Sequence, residues 1–441
     1  MTAGVLDRVL SCVDARSDDA VELLRELVSV NSVNPEFVGV TRADVIGGET
    51  RVNEILRERY EQAGLETHWV APDPDRRNLV GVRSGRGGGR SLALNGHVDT
   101  VPPVDPDAWV NGSPWNPELR DGRLFGIGST DMKGSDVSMW LVAQALADAG
   151  VSLEGDLLLH SVVGEETMQH HLGTTAVLEA GYTADAAIVT EPTSIPHPLT
   201  VSPIAAGNWY FRIHVEGLAT HCGNRALAIR PGGPGDEIGV NALEKAVRIV
   251  VALQDLEQQW GLTKRHPYFM PGFFSMLPGV LHADPGLDIP FYFPHRAQIA
   301  YSLWYPPDET AEEIRSQIEE YVLTVARLDP WLREHPPRFE WINNWPAAST
   351  PWEHPIVQTM ADAHVRVTGV AIPPPSPEHP VGFGAASDAS FYEAAGIPSV
   401  AFGPGDVRVA HCRDESVAVD EVVAAARSLA AAVTEWCGVA T

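Results

Sequence analysis

The sequence predicts an α/β fold: a domain built on a mostly parallel sheet, interrupted by an inserted ferredoxin-like α+β domain. Three observations carry this expectation. Short apolar runs alternate with amphipathic stretches over residues 1–203, the rhythm changes over 204–346, and the first pattern returns over 347–441. At 441 residues the chain also exceeds what one hydrophobic core organises, so two domains are expected. The segments DDAVELLRELVSV and ETRVNEILRERYEQAG read as N-terminal helices. The runs SLALN, LLLHSVV and AAIV read as buried strands, with the helix VSMWLVAQALADAG between the first two. Inside the insertion, NWYFRIHVEG, GFFSMLPGV, AQIAYSLWYP and RFEWINN read as strands, and VNALEKAVRIVVALQDLEQQ and TAEEIRSQIEEYVLTVARL as helices. Their order is βαββαβ. The helix HPIVQTMADAHVRVTG then resumes the first domain, while SGRGGGRS (84–91) and PPPSPEHP (373–380) read as a flexible and a stiff loop.

Composition is that of a soluble globular protein, with 44% hydrophobic and 20% charged residues. The formal charge of −27, spread without any basic block, argues against nucleic-acid and anionic-membrane partners. No apolar run approaches the ~20 residues that a membrane span needs. Asp7, Arg8 and Asp14 break up the start of the chain, so no signal peptide is read there, and the expected location is cytoplasmic. Cys12, Cys222, Cys412 and Cys437 lack CxxC spacing. Cys222 and Cys412, each following a histidine, read as small buried fillers.

The chemistry is concentrated where apolar runs end. Glu165 and Glu166 close the run LLLHSVV, where two unpaired carboxylates would each cost several kcal/mol or give up their charge. His97 and Asp99 follow SLALN, and residues two apart on an extended chain share a face, so the Asp99 carboxylate is expected to orient the His97 ring. Asp131 lies in the glycine-rich GIGSTDMKGS, Glu191 follows AAIV, and His411 comes late in VAHCRDESV. In an open α/β sheet, strand ends of this kind line one crevice. Two histidines and three carboxylates suit a pair of borderline or hard divalent ions, with no thiolate required.

The segments GHVDTVP, GxGxxDMKG, the Glu-Glu doublet, Glu-Pro and HCRDE occur in the order and approximate spacing of the acetylornithine deacetylase, succinyl-diaminopimelate desuccinylase and carboxypeptidase G family of two-zinc amidohydrolases, which the chain resembles over nearly its whole length. The resemblance implies two divalent ions per chain, zinc foremost and cobalt or manganese as alternatives. Asp131 would bridge them, His97 and Glu191 would complete one site, and Glu166 and His411 the other. Glu165, left without a metal, would take the proton of the attacking water and pass it to the leaving nitrogen; Asp99 would support His97. The insertion would be a lid and homodimer interface, and His221 would reach the partner's site to stabilise the oxyanion. His170 and His171 match no family ligand and read as surface or capping residues.

The chain departs from the family pattern at two arginine positions. Ser302, Leu303 and Trp304 stand where many relatives have Asp-x-Arg, and Ser387, Asp388, Ala389 and Ser390 where the desuccinylases have Ser-Asp-Ala-Arg. An exposed Trp304 would offer stacking area in place of a carboxylate clamp. Ser387, Trp304, Arg225 and Arg413 are the candidate substrate contacts, with Arg230 in the same long loop, THCGNRALAIRPGGPGDE. The expected function is hydrolysis of the amide of a small N-acylated amine or amino acid. A deaminase or deformylase of an aromatic or heterocyclic compound is the alternative, and a non-catalytic binding protein a remote third.

Overall fold

The computed structural model describes residues 3–193, 199–230, 234–284 and 289–440. Residues 231–233 of the Arg225–Arg230 loop lie outside them. The chain divides into two compact units, Met1–Ala205 with Ala348–Thr441, and Ala206–Ala347.

The first unit opens with helices α1 (Ala3–Ala15), α2 (Ser17–Val28) and α3 (Gly48–Gln62). Then come strands β1 (Glu66–Asp73), β2 (Arg76–Arg83) and β3 (Leu92–His97), helix α4 (Gly134–Asp148), and strands β4 (Leu157–Val162) and β5 (Ala186–Val189). The second unit supplies β6 (Gly207–Glu216), α5 (Ala242–Thr263), β7 (Met276–Ala283), β8 (Arg296–Tyr305), α6 (Ala311–Ala326) and β9 (Arg338–Trp345). The first unit closes with α7 (Pro355–Thr368), α8 (Ala389–Ala394), β10 (Ser399–Ala401) and α9 (Val419–Trp436).

Six strands form one sheet in the order β1-β2-β4-β3-β5-β10. The four from β4 to β10 run parallel, while β2 lies antiparallel to β4 and β1 antiparallel to β2. Every residue of β3, β4 and β5 is buried, which is why these strands read as unbroken apolar runs. Helix α4 is buried from Gly134 to Leu146 and packs against the alanine-rich α9, whose small side chains permit close approach. Gly96 is needed where α4 closes on β3, because a Cβ there would stand 2.9 Å from Asp136 Oδ1.

The second unit has the predicted βαββαβ order, and its antiparallel sheet runs β7-β8-β6-β9. Trp209, Phe211, Ile213 and Val215 alternate along β6 toward one face, where they meet Ile249 and Leu253 of α5 and Ile314 and Ile318 of α6. Asn241 caps α5 and a Thr310–Glu313 capping box opens α6. Strand β7 begins only at Met276, so the preceding GFFS belongs to a loop. Among the described residues, no helix is long and apolar enough to cross a membrane.

Candidate metal centre

His97 is the last residue of β3, and its ring is fixed from both sides. Its Nδ1 lies 3.0 Å from the backbone carbonyl of Asp99, and its Nε2 faces Asp131 Oδ1 at 3.1 Å. The Asp99 carboxylate stands back at 3.6 Å, which corrects the expectation that it orients the ring directly. The alternation of an extended strand ends at His97, and the carboxylate turns instead to three donors: the backbone N–H groups of Glu165 (3.2 Å) and Glu166 (3.1 Å), and Asn34 Nδ2 (2.8 Å). Asp99 thus braces His97 with its backbone and the Glu-Glu turn with its side chain.

That turn follows β4, where Gly164 takes a positive φ of 81° and a single 3₁₀ turn spans Glu165–Thr167. Glu165 Oε2 is 3.8 Å from His97 Nε2. Glu166 Oε2 is 3.2 Å from His411 Nε2, and Glu166 Oε1 is buried without a hydrogen-bond partner. Asp131 stands between the two histidines, with Oδ1 toward His97 and Oδ2 3.3 Å from His411 Nε2. Its backbone is held by Glu415, whose Oε1 accepts from the N–H groups of Thr130 (2.9 Å) and Asp131 (3.1 Å). Glu415 was missed as a site residue, although it closes the HCRDE segment. His411 is half-exposed and adopts the left-handed φ of 59°, which is uncommon for a residue with a side chain.

Glu191, just beyond β5, is buried, and its charge couples to Asp131, His97, Asp388 and Glu166. Among the described residues, the donor atoms lying within 4.8 Å of one another come from His97, Asp131 and Glu166. Glu191 therefore joins the electrostatic cluster without belonging to that tightest group. Asp388, at the start of α8, joins it too; it accepts from Thr174 Oγ1 at 2.6 Å.

Burial raises Glu165, Glu166 and Glu191 above the ordinary carboxylate range, and repulsion from neighbouring carboxylates, Asp131 and Asp388 among them, adds to this. Burial also brings Asp388 to about 6 and Glu415 to about 8. Burial pushes Asp131 up as well, but hydrogen bonds from His411 and His97 outweigh it and hold this carboxylate low. His411 rises to about 12, chiefly through the charge of Glu166. The cluster has more carboxylates than its two imidazoles can neutralise. Two imidazoles, several carboxylates, a buried orphan oxygen on Glu166 and no thiolate fit divalent ions of the zinc type.

The remaining predicted residues have other surroundings. His221 is exposed, and its Nδ1 accepts from Gly223 N at 3.1 Å, so Nε2 carries the proton of the neutral ring. Arg225 is paired with Glu244 at 2.6 Å. Trp304 is partly buried rather than exposed, and its indole N–H is buried without a partner; the alternation along β8 did not reveal that this face is covered. Ser387 is fully buried, and its hydroxyl accepts from Ala389 N at 3.1 Å, at the start of α8. Arg413 is half-exposed beside Asp414. His170 pairs with Thr175 and stacks on Phe391, while His171 is exposed. Cys412 is exposed and Cys222 partly so, which corrects their reading as buried fillers.

Residues 93–435 match the model of Peptidase family M20/M25/M40. The chain belongs to this family. It is 30% identical to an N-formyl-4-amino-5-aminomethyl-2-methylpyrimidine deformylase of Halalkalibacterium halodurans, with 98% of each chain covered. It is 31% identical to the protein of the same name from Bacillus subtilis, with 79% of each covered. Among solved structures, the di-peptidase Dug1p of Saccharomyces cerevisiae superposes with a TM-score of 0.72 at 14% identity, over 98% of each chain, a likeness of fold. As an M20/M25/M40 protein the chain is a metal-binding hydrolase of carbon–nitrogen bonds that acts as a deacylase.

Proposed function

We propose that this enzyme removes a formyl or similarly small acyl group from the amino nitrogen of a compact heteroaromatic amine. The observation that carries the chemistry is the cluster in which Asp131 offers one oxygen to His97 and the other to His411, with the buried Glu165 beside it. The substrate class rests on the deformylases it matches. It also agrees with Trp304, where many relatives carry arginine, and with Ser390, where the desuccinylases do.

His97, Asp131, Glu191, Glu166 and His411 would hold two divalent ions, zinc foremost. Ions held there would polarise the amide carbonyl and make water more acidic. Glu165 takes a proton from the attacking water as its oxygen bonds to the carbonyl carbon. The carbon–nitrogen bond then breaks, the proton moves from Glu165 to the departing nitrogen, and amine and carboxylate leave. Burial raises the pKa of Glu165, which makes its carboxylate a stronger proton acceptor than an exposed one. His221, with its proton on Nε2, is suited to donate to the carbonyl oxygen as negative charge develops there. We assign this role to the His221 of a second copy.

Strand β7 supports the homodimer. It lies at the edge of its sheet and exposes Leu277, Val280 and Leu281 at 56%, 56% and 43%. An apolar edge of this kind is normally covered. Four unpaired cysteines fit a reducing cytoplasm.

The test is a hydrolysis panel with metal-reconstituted protein. Release of formate and free amine from N-formyl-4-amino-5-aminomethyl-2-methylpyrimidine, faster than acyl release from N-acyl amino acids, is expected. The opposite preference would overturn the substrate assignment, and full activity after exhaustive chelation would overturn the metal chemistry.

A further inference from the structure

Strand β2 turns two polar side chains toward the segment that carries Glu165 and Glu166. Arg76 and Asn78 are two residues apart and so share a face of the strand. Asn78 holds both ends of segment 163–172: its Oδ1 accepts from Val163 N at 2.9 Å, and its Nδ2 donates to the carbonyl of Leu172 at 2.6 Å. Arg76 grips the middle. It is fully buried, donates from Nε and Nη2 to the Glu49 carboxylate at 2.5 and 2.7 Å, and donates from Nη1 to Gln169 Oε1. The Gln169 backbone N–H closes the turn on the carbonyl of Gly164 at 2.7 Å. An unbroken chain thus runs from Glu49, in the first turn of α3, through Arg76 and Gln169 to the residue before Glu165.

A buried guanidinium–carboxylate pair is a poor source of net stability, because desolvation offsets most of the attraction. Its fork geometry fixes direction well, and Arg76 Nη1 reaches past Glu49 to Gln169. We propose that Arg76 and Gln169 are positioning residues: the Glu49-anchored guanidinium holds Gln169, and through it the turn that sets Glu165 and Glu166 at the reacting atoms. This inference rests on the assignment of Glu165 as the proton carrier and Glu166 as a metal donor. Displacing reactive groups by about an ångström can cost about a hundredfold in rate, so the grip acts on turnover.

Gln169→Ala removes the grip and leaves the Glu49–Arg76 pair in place. In the full-length, metal-reconstituted enzyme, kcat is expected to fall about tenfold or more while KM and melting temperature stay near wild type. Cobalt titration of the metal-free variant is expected to show the weaker site loosened by a similar factor, a readout independent of substrate. Gln169→Glu keeps the acceptor oxygen and is expected to recover most of both losses. Wild-type turnover together with wild-type cobalt affinity in Gln169→Ala overturns the proposal, as does failure of Gln169→Glu to restore either. A wild-type chain that takes up no cobalt overturns the underlying metal assignment, an outcome distinct from equal cobalt binding by wild type and variant.

Discussion

Adjacent residues of one type can hold different roles when their oxygens meet different partners. Glu166 Oε2 is 3.2 Å from His411 Nε2, whereas Glu165 Oε2 is 3.8 Å from His97 Nε2, beyond hydrogen-bond reach. Glu165 is buried and the Glu166 side chain is only 6% exposed, and both have their backbone N–H groups tied to Asp99, so the turn is held while the Glu165 carboxylate stays available. Glu165→Gln keeps the shape and removes the base. Turnover should fall about a hundredfold or more, with metal content unchanged by elemental analysis. Glu166→Gln should lose metal. The reverse pattern would show that the two roles are exchanged. The Glu-Glu doublet was legible in the sequence because two charges at the end of an apolar run demand a counter-charge. The role of Asp99 was legible only in part, since a strand rule placed its carboxylate on His97, and the turn that redirects it leaves no local pattern.

At the scale of elements, β3, β4 and β5 announced themselves because each is buried on both faces, and His97, Glu165, Glu166 and Glu191 because they stand at or just past the ends of these strands. The clamp from β2 had no comparable signal. Arg76 and Asn78 meet segment 163–172 only through the sheet, in which β2 pairs with β4 despite a long separation in sequence. Glu415 likewise becomes meaningful only when it reaches back to the N–H groups of Thr130 and Asp131. Helix α4 hides another such residue. Asp136 is fully buried, one of its oxygens has no partner, and burial pushes its pKa up to about 8. The folded chain therefore keeps a proton that the unfolded chain releases at about pH 4. This contribution to stability is complete below about pH 4 and is lost as the pH rises toward 8, at up to about 1.4 kcal/mol per pH unit. Asp136→Asn removes the titration at nearly constant shape. In the metal-free chain, the fall of melting temperature between pH 5 and 8 should flatten in the variant, which should be the more stable of the two at pH 8. An unchanged slope would show that the carboxylate is solvated and titrates normally.

At the scale of the whole molecule, one unit carries the carboxylates and histidines of the metal cluster, and the other carries His221 and an uncovered apolar edge on β7. The two features of the second unit make one prediction. If copies of the chain join through β7, and His221 of one copy serves the metal cluster of the other, then the catalytic unit is a pair of chains and two inactive variants can repair each other. His221→Ala lacks the oxyanion donor, whose loss from a comparable site costs about 3 to 4 kcal/mol. Glu165→Gln lacks the base. Each homodimer is then defective at every site. In a mixed dimer, one site receives an intact Glu165 from one chain and an intact His221 from the other, while the second site lacks both. After complete subunit exchange of equal amounts, half of the dimers are mixed and one in four of all sites is whole, so about a quarter of wild-type activity should return. The measurement is formate release before and after exchange, with mixing verified by differently tagged chains. Mixtures that stay as inactive as their parents would assign His221 to its own chain, and a monomer in light scattering would remove the shared site altogether.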